Sequence, residues 1–123
     1  MMKGAMGMGD VGKSVIPKFA VFAPAKVGGT IAARYFMPWQ AHPTMAVTGA
    51  QCLASCAITP GTIADGLLTR PSANPAKVTI EHPSGTIDVL VDYDLTDNGL
   101  DLRSAGLVRT ARKLASGQLF VSN

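Results

Sequence analysis

The hydrophobic rhythm of the chain changes around one central stretch. Over residues 77–82 apolar and polar positions alternate, which sets Val78, Ile80 and His82 on one face of an extended segment. Over 86–92 the same alternation turns Ile87, Val89 and Val91 inward and Asp88 and Asp92 outward. Both predict strands, with Pro83-Ser84-Gly85 as the turn between them. Upstream, 17–23 (PKFAVFA) and 30–37 (TIAARYFM) also predict strands, and the turn at 24–29 with its Gly28-Gly29 pair lets them form a hairpin. Downstream, the turn at Asp97-Asn98-Gly99 leads to a long strand over 101–113 carrying Leu107 and Val108, and 117–121 closes the chain.

The middle of the chain follows a different rule. After a loop at 38–43 (PWQAHP), Pro43-Thr44 opens a helix that runs to about Ile58, because Pro suits a first turn and the Thr44 hydroxyl can cap amides there. Met45, Ala46, Val47, Ala50, Cys52, Leu53, Ala54, Cys56 and Ala57 populate every side of that helix, and a helix apolar all round is expected to be buried all round. Gly49 and the alanines keep it thin enough for a sheet to wrap closely around it. A short helical turn is expected after Pro60-Gly61 through Leu68, followed by a polar linker at 69–76. Strands on both sides of one helix give an α+β order, not a repeating βαβ one. The expected architecture is a mostly antiparallel, curled sheet around one buried central helix, over 16–123, preceded by a Gly-rich irregular segment at 1–15.

Composition fits this picture and removes several functions. The chain has 123 residues and 12.7 kDa, with 47% hydrophobic and 15% charged residues, so it is expected to fold as one domain. The net charge of +3 is unevenly spread: residues 1–30 hold Lys3, Lys13, Lys18 and Lys26 against Asp10, while from Asp65 onward seven acids face six bases. No basic stripe crosses the folded part, which argues against a nucleic-acid partner. No charged residue lies between Arg34 and Asp65, yet Pro38, Gln40, His42, Pro43 and Thr44 interrupt any apolar run of about 20 residues, so no membrane span is expected. The Gly-rich start lacks an apolar leader core, and a cytoplasmic location is expected. Cys52 and Cys56 lie four apart on the helix with His42 too distant to join them at one ion, so they read as small buried thiols and not as metal ligands.

Three motifs bear on chemistry. Gly7, Gly12, Lys13 and Ser14 satisfy the GxxxxGK[ST] phosphate-loop pattern, which offers a nucleotide-binding reading. That pattern works between a buried strand and a helix, whereas the segment MMKGAM cannot supply the strand and Pro17 interrupts the helix. His42-Pro43-Thr44 at the start of the helix places an imidazole and a hydroxyl beside first-turn amides that favour a carboxylate or phosphate. The plainer alternative is a capped helix with a surface His. Glu81-His82-Pro83-Ser84-Gly85 is the second candidate: a tight Ser-Gly turn offers amides and a hydroxyl next to a His on the apolar face. Its alternative is a hairpin turn beside a hydrogen-bonded core His.

The order RYFMPWQAHPTMAVTGAQCLASCAITPGT, VTIEHPSGTIDV, AGLVRTARKLASGQLFV resembles the C-terminal third of the 4-oxalomesaconate tautomerase and 2-methylaconitate isomerase (PrpF-like) family, over about residues 9–122. The resemblance implies half of a diaminopimelate-epimerase-like fold. It also implies an isomerase that moves a proton on unsaturated di- and tricarboxylates without a cofactor, in a cleft between two similar domains. By the same resemblance, the catalytic Lys and Cys belong to the N-terminal domain, so the catalytic residues within this stretch are unknown. Family loops often read Pro-His-x-Cys-His, and here Pro38-Trp39-Gln40-Ala41-His42 keeps only the last His. Carboxylate binding is expected at His42, Thr44 and Met45 and at His82, Ser84 and Gly85. Lys26, the two histidines and the two cysteines are poor candidates for an acid–base pair on opposite faces of a substrate. Three readings follow: a C-terminal part of a carboxylate isomerase, a non-catalytic carboxylate-binding or structural module, and a small nucleotide-binding protein. The partner is expected to be a homodimer mate or the missing N-terminal domain, either of which would cover exposed sheet edges.

Overall fold

A computed structural model describes residues 7, 9–10, 12–97 and 99–121. Strands β1 (Phe19–Ala23) and β2 (Ile31–Met37) form the expected hairpin, with Phe19 opposite Phe36 and Ala23 opposite Ala32. A two-residue strand β3 (Gln40–Ala41) folds back on the end of β2. Helix α1 (Val47–Ile58) follows, and then β4 (Ala76–His82), β5 (Gly85–Thr96) and β6 (Gly99–Leu107) form a meander. The sheet order is β1-β2-β4-β5-β6, with β3 beside β2. All pairings are antiparallel except β2 with β4, where Ile31 lies beside Ile80 and Ala32 beside Glu81. A parallel pair needs a crossover, and α1 lies within it.

The sheet curls around α1 and the core lies between them. Ile31 and Ala33 from β2, Ala76, Val78 and Ile80 from β4, and Ile87, Val89, Val91 and Tyr93 from β5 all bury against Ala50, Leu53, Ala54, Ala57 and Ile58 of the helix. The period-2 faces read from β4 and β5 are the faces that pack. Gln51 ties the helix to β6 by donating its Nε2 to the Ala105 carbonyl at 2.7 Å. At the C-terminal end of α1, hydroxyls take the carbonyls that helix geometry leaves over: Thr59 Oγ1 donates to Ser55 O at 2.7 Å and Thr62 Oγ1 to Cys56 O at 2.8 Å. The close packing needs Gly49, since a Cβ there would stand 2.7 Å from the Tyr35 ring.

Five expectations are corrected. The helix begins at Val47 with an extended Ala46 before it, and no side chain caps it, so Thr44 lies in the preceding turn. It is buried on one side only: Val47, Thr48 and Cys52 are exposed because β1 and β6, the two sheet edges, do not meet around it. Cys52 is therefore not a core thiol, and Cys56 is only half-buried. Residues 60–68 form turns without a helix. Finally, β6 ends at Leu107, and 108–121 form no regular element and are exposed throughout, including Leu114, Leu119 and Phe120. No helix among the described residues is long and apolar enough to cross a membrane.

Candidate functional site

The fold brings both sequence-nominated turns to one place. The backbone of His42 returns to β2, donating its amide to the Tyr35 carbonyl at 2.7 Å. Because β4 runs parallel to β2, the β4–β5 turn emerges beside the same part of the sheet. Ser84 then closes the gap by donating its hydroxyl to the Pro43 carbonyl at 2.6 Å. The two segments share a local design, His-Pro followed by a hydroxyl residue. In one, the Thr44 amide donates to His42 Nδ1 at 3.1 Å; in the other, the Ser84 amide donates to His82 Nδ1 at 3.3 Å. An amide cannot accept, so each Nδ1 is the acceptor in this arrangement, which leaves Nε2 as the donor nitrogen of the His42 ring. Burial pushes the His82 imidazole below its ordinary range and the positive charge of Arg34 adds to this, against a hydrogen bond to the Thr86 backbone. This favours the neutral form of His82.

The six nominated residues differ in what they offer. His42 and His82 are half-buried, and Thr44 and Ser84 are exposed. Met45 is 6% exposed and anchors the segment in the core, so its side chain is not presented at the surface. Gly85 has φ +138, a backbone conformation that L side chains rarely adopt, so it shapes the turn. Directly after this segment, the amides of Val47, Thr48 and Gly49 begin the helix and have no intrahelical acceptor, the first such bond running from Ala50 N to Ala46 O at 2.7 Å. These first-turn amides follow directly on the Thr44 segment, whose hydroxyl lies 3.3 Å from His42 Nδ1.

A concavity of about 520 Å³ adjoins the His82 turn. Its apolar walls include Val21, Phe22 and Ala32, and its polar lining is Lys26, Arg34, Glu81 and His82. Glu81 is the residue that sequence reading left without a role. It is 6% exposed, and its carboxylate accepts from the amides of Lys26 (2.8 Å), Val27 (2.7 Å) and Gly29 (2.8 Å) in the β1–β2 turn. The Lys26 amide foremost holds this carboxyl below the usual glutamate range despite its burial, with help from Gly29, Val27 and the Arg34 charge. Gly29 is needed for the close approach, since a Cβ there would meet Glu81 Cγ at 2.6 Å. The signal available in sequence was an acid in a strand otherwise facing apolar neighbours, together with a Gly-Gly turn able to aim several amides at one point.

The phosphate-loop pattern falls partly outside the described residues, at Met8 and Val11; its described part, with 12–18 after it, forms turns and bends and no helix leaves Ser14.

The family model described as PrpF protein matches residues 3–122. YbhH of Escherichia coli (strain K12) is 40% identical over 119 residues, which is 95% of this chain and 32% of that protein. The (4E)-oxalomesaconate Delta-isomerase of Novosphingobium sp. (strain KA1) is 37% identical over 116 residues, covering 94% of this chain and 32% of the relative. The crystal structure of a methylitaconate-delta-isomerase superposes with a TM-score of 0.65 at 23% identity, over 88% of this chain and 33% of that one, which establishes the diaminopimelate-epimerase-like fold. The chain spans about a third of the length of the relatives it matches. On the family match and these identities, the chain belongs to the PrpF family, among whose members the relatives named above are isomerases.

Proposed function

We propose that this chain is the carboxylate-binding, C-terminal part of a cofactor-independent isomerase acting on unsaturated di- or tricarboxylates. The observation that carries the reading is the Ser84 hydroxyl bonded to the Pro43 carbonyl at 2.6 Å, which holds two His-Pro turns, some forty residues apart in sequence, against the start of α1. A substrate carboxylate there accepts hydrogen bonds from first-turn amides, the Thr44 hydroxyl and His42 Nε2–H. His82, its imidazole pushed toward the neutral form by burial, borders the same turn. Met45 contributes by burial, holding the segment in register, and Gly85 by permitting the tight turn.

Isomerisation across a double bond takes a proton from one carbon and returns it to another, so a base and an acid must face the bound acid. In this reading they come from the two thirds of the relatives' length that lies outside this chain, and the present residues bind and orient. A second copy of the chain is the other source of a facing wall. The test is proton NMR in D₂O of itaconate, trans-aconitate and oxalomesaconate with this protein. Line broadening that His42→Ala reduces at least tenfold is expected, because a charge-assisted contact is lost. Deuterium incorporation on top of it would show that the chain builds a complete site. Sharp, unchanged lines for all three acids would overturn the reading.

A further inference from the structure

The side chains that give the 520 Å³ concavity its chemistry stand on the face of the sheet turned away from α1. Ile31 and Ala33 of β2 are buried against the helix, so alternation turns Ala32 and Arg34 to the other face, where the antiparallel register sets Ala23 beside Ala32 and Val21 beside Arg34. The parallel register adds Glu81 next to Ala32. No residue of 42–49 is in this lining, so the space is separate from the segment that starts the helix.

Two cations here have no acid to pair with. Arg34 Nη1 donates to the Ala33 carbonyl at 2.9 Å, and neither Arg34 nor Lys26 enters an ion pair among the described residues. Glu81 is the one acid in the lining, and the amides of Lys26, Val27 and Gly29 occupy its two oxygens. Those bonds fix the turn that carries Lys26 at the rim. The other walls are aliphatic: Val21 is 50% exposed and Val27 79%, and neither they nor Ala23 and Ala32 bring a polar side-chain atom. A bare inorganic anion or a polycarboxylate would leave these walls wet, and a neutral apolar molecule would leave the cations unused. An anion with one charged head and an aliphatic body satisfies both, in the usual build of a small-molecule site with apolar walls and a few convergent polar groups.

We propose that the outer face of the sheet binds an aliphatic monocarboxylate, with Arg34 and Lys26 on the head and Val21, Ala23, Val27 and Ala32 along the chain. Arginine suits the head because its planar fork pairs a carboxylate through two parallel hydrogen bonds. The aliphatic body separates this ligand from the polar acids proposed at the start of α1, and the site stands or falls independently of that reading.

The test is a ¹H–¹⁵N NMR titration of the 123-residue protein with acetate, butanoate, hexanoate and octanoate, the last kept below micelle formation. Amides within 21–27, 32–34 and 81–82 are expected to move along one saturation curve, while those of 44–53 stay in place. Affinity is expected to rise about two- to fourfold with each added methylene, because the chain leaves water against the aliphatic wall. Arg34→Met, checked for native amide dispersion, is expected to weaken octanoate at least tenfold, with Arg34→Lys recovering part of the loss. Val21→Ser, at a half-exposed position that the core does not use, is expected to flatten the dependence on chain length and leave acetate unchanged. Equal affinity for acetate and octanoate would mean attraction by charge alone and would overturn the site. So would octanoate binding to Arg34→Met as tightly as to the parent, or octanoate moving 44–53 in place of 21–27 and 32–34.

Discussion

Glu81 shows how one side chain can organise a turn from the side opposite the core. Its strand neighbours Val78 and Ile80 face α1, while its own carboxylate reaches the β1–β2 turn and takes three amides. Glu81→Gln replaces one acceptor oxygen by a donor that faces N–H groups. It is expected to lower the thermal midpoint by several degrees and to broaden the amide signals of 26–29, as followed by circular dichroism and NMR. The pH dependence has a definite sign. The folded-state carboxyl is held below its unfolded value, so its stabilising contribution is fully present above the ordinary glutamate range and fades as the pH falls through the folded value. Asp88, held low by Lys77 and Thr79, and Asp92, held low by Arg103, act in the same direction. Acid denaturation from pH 5 downward is expected to be shallower in Glu81→Gln than in the parent. This residue was illegible beforehand because alternation says which face a side chain takes and not what main chain waits there.

At the scale of elements, the strands and their turns were legible and the limits of helix and sheet were not. Gly-Gly, Pro-Ser-Gly and Asp-Asn-Gly separate β1 from β2, β4 from β5 and β5 from β6, each where two strands reverse. The strand expected over 101–113 ends at Leu107: after the bond from Val108 N to Asp88 O at 3.0 Å the chain leaves the sheet and is exposed, although β5 itself runs back to Gly85. The helix was read as enclosed because its composition has no polar side, while the shell observed is open between β1 and β6. Gly49 gives the most direct element-scale prediction. Gly49→Ala would add about 1 kcal/mol of helix propensity at most, whereas overpacking against Tyr35 costs about 1–3 kcal/mol. A net loss of about 1–2 kcal/mol in urea denaturation is expected. Because Tyr35 also holds His42, through its carbonyl at 2.7 Å and a ring contact at 6.4 Å, the same variant should weaken carboxylate binding.

The whole molecule joins these scales. A curled sheet with one parallel pairing sets the β4–β5 turn beside the segment before α1, and this is why the His42 and His82 turns lie together although neither spacing nor periodicity relates them. Their residue types were visible in the sequence, and so was the resemblance that linked them to carboxylates. Their contact was not, because it depends on a pairing between β2 and β4 that no local pattern encodes. The exposed apolar residues of 108–121 and the open flank of α1 lie on a chain that spans about a third of its relatives' length. The most direct test of the joint site follows the Cε1–H resonances of His42 and His82 during a trans-aconitate titration at pH 7. One ligand bound across both turns moves the two imidazoles along a single saturation curve, and Ser84→Ala shifts both curves together to weaker binding. Two unrelated curves, or one ring that does not respond while the other saturates, would contradict the account.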